Sequence, residues 1–372
     1  MSSILIFGDI CPDNNYRELF NRGAFFSEEI KRDIQDATLA LGNLECPATD
    51  NSVPIVKTGP NLRAKPQDLL QLRKMGFDVL SLANNHIRDY GFMAVKETVD
   101  EAEKVGLKTV GAGENTSKAS KALITECDAK RIGIISFAEA EFNLASEISP
   151  GANPFDPYTS FDDVRKLKDK ADYIIVLYHG GIEHYKYPSP LLQKKCRKIA
   201  DAGADVVLCQ HSHCIGSVEE YKGSTILYGQ GNSVFGYREG DKAWNEGLIV
   251  CIDPANNEIG FKLLQAGKDG VIYADEETSI RRLAQMRKDS KKLNDQAWIQ
   301  GEWFKFCESQ KALDMPLLYG WNRLFIKANR ILNNRLIQLR YSRKKQRITM
   351  NLIRCEAHRE VIQTILENEI FH

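Results

Sequence analysis

The clearest sign of chemical activity in this sequence is a pair of histidines separated by a single residue, His211 and His213. They lie one residue beyond a short apolar run, 206–209, of the kind typical of a buried β-strand. If the chain stays extended after the strand, alternate side chains share one face, so both imidazoles could reach one site. Imidazole nitrogen is a common ligand of transition metals. The pair therefore predicts a metal site beside the end of a strand.

Four further apolar runs are followed by side chains that can bind a metal or move a proton. They are 4–7 followed by Asp9, 38–41 followed by Asn43 and Glu45, 79–82 followed by Asn84, Asn85, His86 and Asp89, and 173–178 followed by His179 and Glu183. In open α/β sheets, ligands bind outside the carboxyl ends of the strands. The recurrence of such residues at five strand ends indicates that they form one shared site.

Each of these residues also has a structural interpretation when it is considered alone. An Asp such as Asp9 is a common turn or N-cap residue after a strand, and Glu45 could be a solvated loop residue. His86 could cap a helix, and His179 could be a buried structural histidine. The sequence favours the shared site because all five strand ends carry residues of this kind.

The elements that would position these side chains alternate between strands and helices. Further apolar runs lie at 109–110, 132–137 and 225–228, and helical spacing of apolar residues occurs at Pro66–Met75, 91–105 and 190–202. This alternation predicts an α/β fold whose sheets are covered by helices. A β-hairpin is predicted over 247–264. Beyond residue 276 the pattern indicates only helices, at 278–292, 295–310, 321–341 and 351–368.

The composition is that of an ordinary globular protein, with 372 residues, 43% hydrophobic and 27% charged. Lys+Arg and Asp+Glu both number 50, so no strong overall charge points to a specific nucleic-acid partner. The charge is nevertheless uneven, because residues 276–372 hold 19 Lys/Arg and 11 Asp/Glu. Such a basic region is either a solvated helical face or a contact surface for an acidic polymer, a membrane or another protein. We predict two regions, 1–275 and 276–372.

Cysteine usage and hydropathy exclude several classes of protein. The nine cysteines are scattered without a CxxC pair, which argues against a disulfide framework and a cysteine-type zinc module. The N-terminal run MSSILIFGDI has neither a basic region nor a long apolar stretch, so it does not resemble a signal peptide. No run approaches the roughly 18 apolar residues of a membrane span. We therefore expect a cytoplasmic protein, with peripheral membrane association as a further hypothesis.

A series of ordered motifs over roughly residues 1–265 resembles the CapA family of poly-γ-glutamate capsule biosynthesis proteins. The motifs are Gly8-Asp9, GNLE at 42–45, SLANNH at 81–86 with DYG at 89–91, GAG at 111–113, His179-Gly180, 188–190, AGAD at 202–205, HSH at 211–213 and GQGN at 229–232. The family is in turn similar to the calcineurin-like metallophosphoesterases. The resemblance implies a four-layer α/β sandwich, with two mixed β-sheets flanked by helices, and a helical C-terminal extension.

The resemblance also implies roles for individual residues. Asp9 and His213 would bind a first metal, whereas Asn85, His179 and His211 would bind a second. Glu45 would be a further ligand, and His86 would act as an acid or hold the attacked group. The surrounding or substrate-binding residues would be Asn43, Asn84, Asp89, Glu183 and Asn232. Mixed oxygen and nitrogen ligands suit one or two Mn²⁺, Zn²⁺ or Fe ions.

Two positions depart from the phosphoesterase pattern. Cys11 stands where those enzymes usually have a histidine, and Asn43 stands where they have a bridging carboxylate. Both changes would weaken the first metal position. As a buried small residue, Cys11 fits a core position better than a metal site.

The resemblance supports two hypotheses for function. The favoured hypothesis is a hydrolase in which a metal-activated water attacks a phosphoester or a γ-glutamyl amide. The alternative is a non-catalytic, metal-binding assembly or polymer-handling subunit of a capsule biosynthesis system. The expected partners are an anionic polymer or a phosphorylated substrate, with a capsule synthase or a membrane surface contacting the basic C-terminal helices.

Overall fold

A computed structural model of the chain describes residues 4–12, 14–127, 129–332, 335–354 and 356–371. The chain forms two compact units, Met1–Ile299 and Gln300–His372, each held together mainly by contacts among its own residues. This division lies further along the chain than the predicted border between residues 275 and 276. The helix Glu276–Ser290 belongs to the first unit because its Met286 is buried in the apolar layer between the two sheets.

Among the described residues, ten strands lie at or near the predicted apolar runs and hairpin, and six others were not predicted. In chain order they are β1 (Ile4–Ile10), β2 (Leu39–Leu44), β3 (Val79–Ser81), β4 (Lys108–Val110), β5 (Ala112–Gly113), β6 (Leu123–Cys127), β7 (Lys130–Ala138), β8 (Gly151–Ala152), β9 (Tyr173–His179), β10 (Val206–Gln210), β11 (Val218–Tyr221), β12 (Ser224–Leu227), β13 (Asn232–Val234), β14 (Glu246–Asp253), β15 (Glu258–Gly267) and β16 (Gly270–Tyr273).

These strands form two mixed sheets and one small ribbon. The first sheet has eight strands in the order β16-β15-β14-β1-β2-β3-β4, with β13 pairing beside β1. Within it β1 to β4 run parallel, whereas β14 to β16 are antiparallel. The second sheet has six strands in the order β11-β12-β10-β9-β7-β6, with a parallel centre and antiparallel edges. Strands β5 and β8 form the ribbon.

The helices cover the sheets and make up most of the C-terminal unit. They are α1 (Arg17–Asn21), α2 (Glu28–Asp36), α3 (Pro66–Met75), α4 (Phe92–Lys104), α5 (Thr116–Ala119), α6 (Ser160–Lys168), α7 (Pro190–Asp201), α8 (Glu276–Ser290), α9 (Gln296–Leu318), α10 (Arg323–Ile331), α11 (Arg335–Arg340), α12 (Arg343–Arg354) and α13 (Glu356–Phe371).

Local sequence signals set several helix ends. Ser27 caps α2 by accepting the Ile30 N–H, and Ser189 caps α7 by accepting the Leu192 N–H. Proline in the first turn of α3 and of α7 fits a position where no backbone N–H is needed. Gly76 ends α3 with a φ of 116°, a conformation that favours glycine. The predicted helices at Pro66–Met75 and 190–202 are confirmed.

Side-chain alternation along β1 shows how the first sheet is covered on both faces. Leu5 and Phe7 belong to an apolar cluster shared with α2, α3 and α4, whereas Ile4 and Ile6 belong to a cluster shared with the second sheet. Successive strand residues point to opposite faces, so one strand serves both layers. Each fully buried side chain of this size contributes about 1.5–3 kcal/mol.

Strand β9 performs the same role in the second sheet. Ile175 and Leu177 face the cluster between the sheets, whereas Ile174 and Val176 join a third cluster that includes residues of α6 and α7. Three apolar clusters therefore separate four layers, namely helices, sheet, sheet and helices. The predicted fold class, a four-layer α/β sandwich with two mixed sheets and a helical C-terminal extension, is confirmed.

The C-terminal unit differs in detail from the prediction. The single helix predicted at 321–341 is two helices, α10 and α11, with the Asn329 side-chain oxygen accepting the Ile337 N–H beyond the break. The rings of Tyr319 and Tyr341 stack with centroids 3.5 Å apart. Among the described residues no helix has the length and apolar character needed to cross a membrane.

Candidate metal centre

The site begins where β1 lies between two neighbouring strands. Asp9 and Asn43 were expected just after their strands, but both lie within them, and the register places Asp9 opposite Asn43 on β2 and Asn232 on β13. The register shifts between Phe7 and Asp9, which marks a bulge at Gly8. A Cβ at Gly8 would lie 2.3 Å from the Gly231 carbonyl oxygen, so only glycine fits there. The bulge therefore changes the pairing of β1 with β2 immediately before Asp9, whose side chain enters the site.

Glu45 occupies the centre of this site. Its side chain is fully buried, and neither carboxylate oxygen has a hydrogen-bond partner among the described residues, although the Asp9 carboxyl lies beside it. Burying an unpaired carboxylate costs several kcal/mol, by an order-of-magnitude argument. Glu45 therefore needs either a proton or a cation.

Two groups of potential metal ligands share Glu45. One consists of Asp9, Glu45 and His213, and the other of Glu45, His179 and His211. Within each group the ligand atoms all lie within 4.8 Å of one another. Glu45 Oε1 lies 3.4 Å from His179 Nε2 and 3.8 Å from His213 Nε2. The shared carboxylate makes this a candidate centre with two adjacent cation positions.

Neighbouring amides hold two of the imidazole rings. Asn232 donates its side-chain N–H to the Trp244 carbonyl, so its Oδ1 can accept from His213 Nδ1 at 2.9 Å. That contact leaves Nε2, the nitrogen that faces Glu45, with its lone pair. His179 Nδ1 lies 3.2 Å from the Asn43 amide nitrogen, and its Nε2 lies 3.0 Å from Asn85 Oδ1.

The His-x-His segment reaches the site in an unexpected conformation. Its backbone is not extended, because His211 and His213 have φ values of 86° and 49°. The prediction that they share one face of an extended segment is therefore wrong. Each enters a different ligand group from a tight turn, with ring centroids 6.3 Å apart. A left-handed conformation at such residues costs on the order of 1–3 kcal/mol and is concentrated at functional sites.

Burial controls the charge of the site. It lowers the pKa of His179 and of His211 to about 4, and the pKa of His213 well below its usual range. Burial and then the adjacent Glu45 carboxylate raise the pKa of Asp9 to about 8, and burial raises the pKa of Glu45 strongly. Near neutral pH the imidazoles are thus uncharged donors, and the carboxyl groups keep protons unless a cation replaces them. This donor set fits divalent metal ions.

His86 lies next to this centre and is held by two charged neighbours. Its Nδ1 lies 2.6 Å from Asp89 Oδ2, and Lys57 Nζ lies 2.5 Å from Asp89 Oδ1 and 3.2 Å from the same ring nitrogen. The Leu62 N–H also donates to Asp89. The Lys57 side chain is only 2% exposed, so this ion pair is shielded from water. Asp89 therefore fixes the orientation of His86 and leaves Nε2 for other partners.

The remaining predicted residues have more peripheral positions. Asn84 donates to the Leu44 carbonyl and accepts the His86 N–H, so it fastens the turn to β2. Glu183 is exposed, and its charge adds to burial, the main cause, in raising the pKa of Glu45. Cys11 is buried among apolar residues and is in neither ligand group, which agrees with the predicted core position.

Two acidic residues that the sequence analysis did not identify lie at the same end of the sheets. Glu139 accepts hydrogen bonds from Tyr178, Lys195 and the Gly181 N–H, and so holds the loop that follows His179. Glu141 lies in the same loop as Glu139 and contacts the site directly. Both follow the apolar run 132–137, so the strand-end rule applied there would have found them.

Aromatic residues cover one side of the first ligand group. The His213 ring lies 4.7 Å from the Phe235 ring and 4.8 Å from the Trp244 ring, measured between centroids. The guanidinium of Arg238 lies over Trp244, and the exposed His184 ring lies 6.2 Å from it. These residues could not be predicted, because the turn at 235–245 carries no strand-end signal.

Comparison with solved structures gives low overall similarity. A hypothetical protein of Thermus thermophilus matches with a TM-score of 0.46 and 15% identity, over 71% of this chain and 99% of that chain. A 5'-nucleotidase from Candida albicans matches with a TM-score of 0.41 and 13% identity, over 84% of this chain and 58% of that chain. The fold class therefore rests on the sheet topology of the chain itself.

Comparison with known sequences is more informative. The capsule biosynthesis protein CapA of Bacillus anthracis is 29% identical over 64% of this chain and 59% of its own length. The PGA biosynthesis protein CapA of Bacillus subtilis is 31% identical over 55% of this chain and 53% of its own. The chain thus spans little more than half the length of these relatives.

One family model covers the whole region that contains the candidate metal centre. The model described as bacterial capsule synthesis protein PGA_cap matches residues 3–237, which include both ligand groups. This match extends over more than half of the chain. The chain therefore belongs to the bacterial capsule synthesis protein (PGA_cap) family.

Proposed function

We propose that this protein is a metal-dependent hydrolase. The observation that carries the proposal is the unpartnered, fully buried carboxylate of Glu45, which is shared by two groups of uncharged imidazoles and carboxyl groups. A protein that kept this arrangement without a cation would bear the cost of an unpaired buried acid. Divalent ions would remove that cost.

Each ligand group would hold one ion. Asp9, Glu45 and His213 would hold the first, and Glu45, His179 and His211 would hold the second, with the Asn85 side-chain oxygen as a further ligand. Three imidazoles with carboxylate and amide oxygens suit Mn²⁺, Zn²⁺ or Fe. When bound, such ions would lower the pKa of water towards neutrality and polarise the bond under attack.

His86 would supply the proton for the leaving group. Its Nδ1 is engaged by Asp89, which leaves Nε2 to exchange a proton with substrate. Lys57 also contacts Asp89 and so helps to hold this carboxylate in place. His86 therefore has a fixed orientation before substrate arrives, as a general acid requires.

The names of the relatives suggest a context for this chemistry. They refer to capsule and PGA biosynthesis, so a γ-glutamyl amide in an anionic polymer is one candidate bond. A phosphoester is the other, because paired metal ions suit phosphoryl chemistry. Glu141 is 42% exposed and lies 3.8 Å from His211 Nε2, so substrate would reach the centre on this side.

The test is metal-dependent turnover by the purified chain. Wild type, His211→Ala and the control His358→Ala would be assayed with Mn²⁺ or Zn²⁺ on phosphomonoesters, phosphodiesters and γ-glutamyl peptides. His358 is an exposed histidine of α13 and is in neither ligand group, so its replacement is the control. We expect turnover of one bond class that His211→Ala lowers by at least 100-fold, an order typical of metal and acid–base residues. Equal rates in wild type and His211→Ala would refute the proposal.

A second function is favoured by two specific residues. Asn43 is neutral and Cys11 is packed in the core. Neither residue adds a charged ligand to the first group, which therefore has only the three ligands Asp9, Glu45 and His213 among the described residues. A weakly filled first position fits a metal-binding assembly or polymer-handling subunit without turnover. Metal binding together with no hydrolysis of any of the three substrate classes would support this second function.

The basic helix α12 supports a surface contact for the C-terminal unit. Arg343, Lys344, Lys345 and Arg347 are all exposed, and Ile348 of the same helix is also 52% exposed. Such a helix suits an anionic membrane surface or an acidic face of a synthase. Replacing the four basic residues with glutamine should abolish co-sedimentation with anionic vesicles. Unchanged co-sedimentation would contradict the membrane contact.

A further inference from the structure

Glu141 contacts two of the residues that would hold the second ion. Its carboxylate lies 3.3 Å from the Asn85 amide nitrogen and 3.8 Å from His211 Nε2. The side chain is 42% exposed, so it lies at the mouth of the centre rather than inside it. It was not among the residues predicted from the sequence, and neither ligand group includes it.

The loop that carries Glu141 is fastened to the turn that carries Asn85. The Glu141 N–H donates to Asn143 Oδ1 at 3.0 Å, and the Asn143 amide donates to the Asn84 carbonyl at 2.9 Å. Asn143 is fully buried, so these hydrogen bonds are shielded from water. Glu141 is therefore held against Asn85 by the backbone, which distinguishes it from a freely moving surface carboxylate.

The contact with Glu141 determines which end of the Asn85 amide faces the centre. The Asn85 nitrogen donates to the carboxylate, so the oxygen is turned towards His179 Nε2, at 3.0 Å. Only the oxygen of an amide can bind a metal ion. A carboxylate at position 141 thus selects the ligating orientation, because it can accept a hydrogen bond but cannot donate one.

The contact with His211 has a matching effect on the ring. His211 Nδ1 is buried and has no hydrogen-bond partner among the described residues, whereas Nε2 is the nitrogen that faces Glu141. A carboxylate beside Nε2 favours the tautomer with its proton there, which leaves the Nδ1 lone pair for an ion. The absence of a hydrogen-bond partner at Nδ1 among the described residues agrees with this tautomer.

We infer that Glu141 is a positioning residue of the second metal position, acting through Asn85 and His211. The inference rests on the proposed function, because it assigns Glu141 a role towards an ion that the centre would hold. Carboxylates that support metal ligands in this way change metal affinity by about 10- to 100-fold when they are replaced.

The test compares metal binding by wild type, Glu141→Gln, Glu141→Asp and the control Glu147→Gln. Glu147 is an exposed acid of the nearby loop and has the same charge. Ion stoichiometry and affinity would be measured by chelator competition with Mn²⁺ and Zn²⁺, and ligand geometry by the visible spectrum of the Co²⁺-loaded protein. Thermal unfolding of the metal-free forms would confirm that each variant is folded.

We expect Glu141→Gln to lower the affinity for one of the two ions by about 10- to 100-fold and to change the visible spectrum of the Co²⁺-loaded protein. The other ion should bind as in wild type, Glu141→Asp should recover part of the loss, and Glu147→Gln should have no effect. Wild-type affinities and spectrum in Glu141→Gln would overturn the inference and leave the proposed function intact. A wild-type protein that binds no ion would overturn both.

Discussion

Replacing Glu45 with glutamine removes the one carboxylate that both ligand groups share. The side chains are nearly the same size, so the surrounding packing is retained. The amide is neutral without binding a proton, so the metal-free variant avoids the cost of keeping a fully buried acid protonated near neutral pH. We therefore expect metal-free Glu45→Gln to be at least as stable as metal-free wild type, whereas it should gain almost nothing from metal.

The magnitude follows from the linkage between binding and folding. An ion at 100 times its dissociation constant stabilises the native state by about 2.7 kcal/mol. For the unit Met1–Ile299, with an unfolding entropy of roughly 2.1 cal/mol/K per residue, this corresponds to a rise in Tm of roughly 4 °C for each ion. Wild type should show this rise with Mn²⁺ or Zn²⁺, and Glu45→Gln should show a rise of less than about 2 °C, given the same scaling.

Differential scanning calorimetry of chelator-treated protein, with and without added metal, measures both quantities. Glu147→Gln, which changes an exposed acid, is the matched control and should keep the full rise. A metal-induced rise in Glu45→Gln equal to that of wild type would refute the assignment of Glu45 as the shared ligand. A large loss of stability in the metal-free variant would refute the argument about its buried charge.

Three further predictions follow from the same geometry. His211→Ala and His213→Ala should each lose one ion and keep the other, as measured by elemental analysis, because the two residues belong to different ligand groups. Metal-free protein should become less stable as pH rises from about 7 to 8, where the buried histidines are largely neutral in both the native and the unfolded state, because native Asp9, with a pKa of about 8, keeps a proton that the unfolded chain has released near its ordinary value of 3.8. Urea unfolding should show this slope in wild type and a smaller one in Asp9→Asn; equal slopes would contradict it. Lys57→Met should lower the free energy of unfolding, measured with urea, by about 3–5 kcal/mol, because it removes the cation that is paired with buried Asp89. A decrease below about 1 kcal/mol, which is typical of an exposed ion pair, would show that the pair is not shielded from water.

The sequence predicted much of the site because one topological rule applies to both sheets. Polar residues near the carboxyl ends of β1, β2, β9 and β10 converge, and this is why Asp9, Glu45, His179 and His211 could be predicted to lie together. Their approach depends only on strand direction and order. The apolar runs that reveal the strands are long enough to be read from sequence.

Other parts of the site depend on contacts that sequence spacing does not determine. The backbone of His211 and His213 is left-handed, so the argument from an extended strand predicted the correct residues with the wrong conformation. Glu141 resembles a solvated loop acid until Asn143 is seen to fasten it to the next turn. The border between residues 275 and 276 was predicted from the loss of strand signal, which does not reveal that Met286 and Leu283 of α8 pack against the layer between the sheets.

The most direct measurement for the central claim is the metal content of the chain, determined by elemental analysis after purification without a chelating resin. The claim is that Glu45 joins two cation positions. It predicts a transition metal in wild type at up to one ion for each ligand group, and little or none in Glu45→Gln. Metal-free wild type that also fails to take up added Mn²⁺, Zn²⁺ or Fe, or equal metal content in the two proteins, would contradict it.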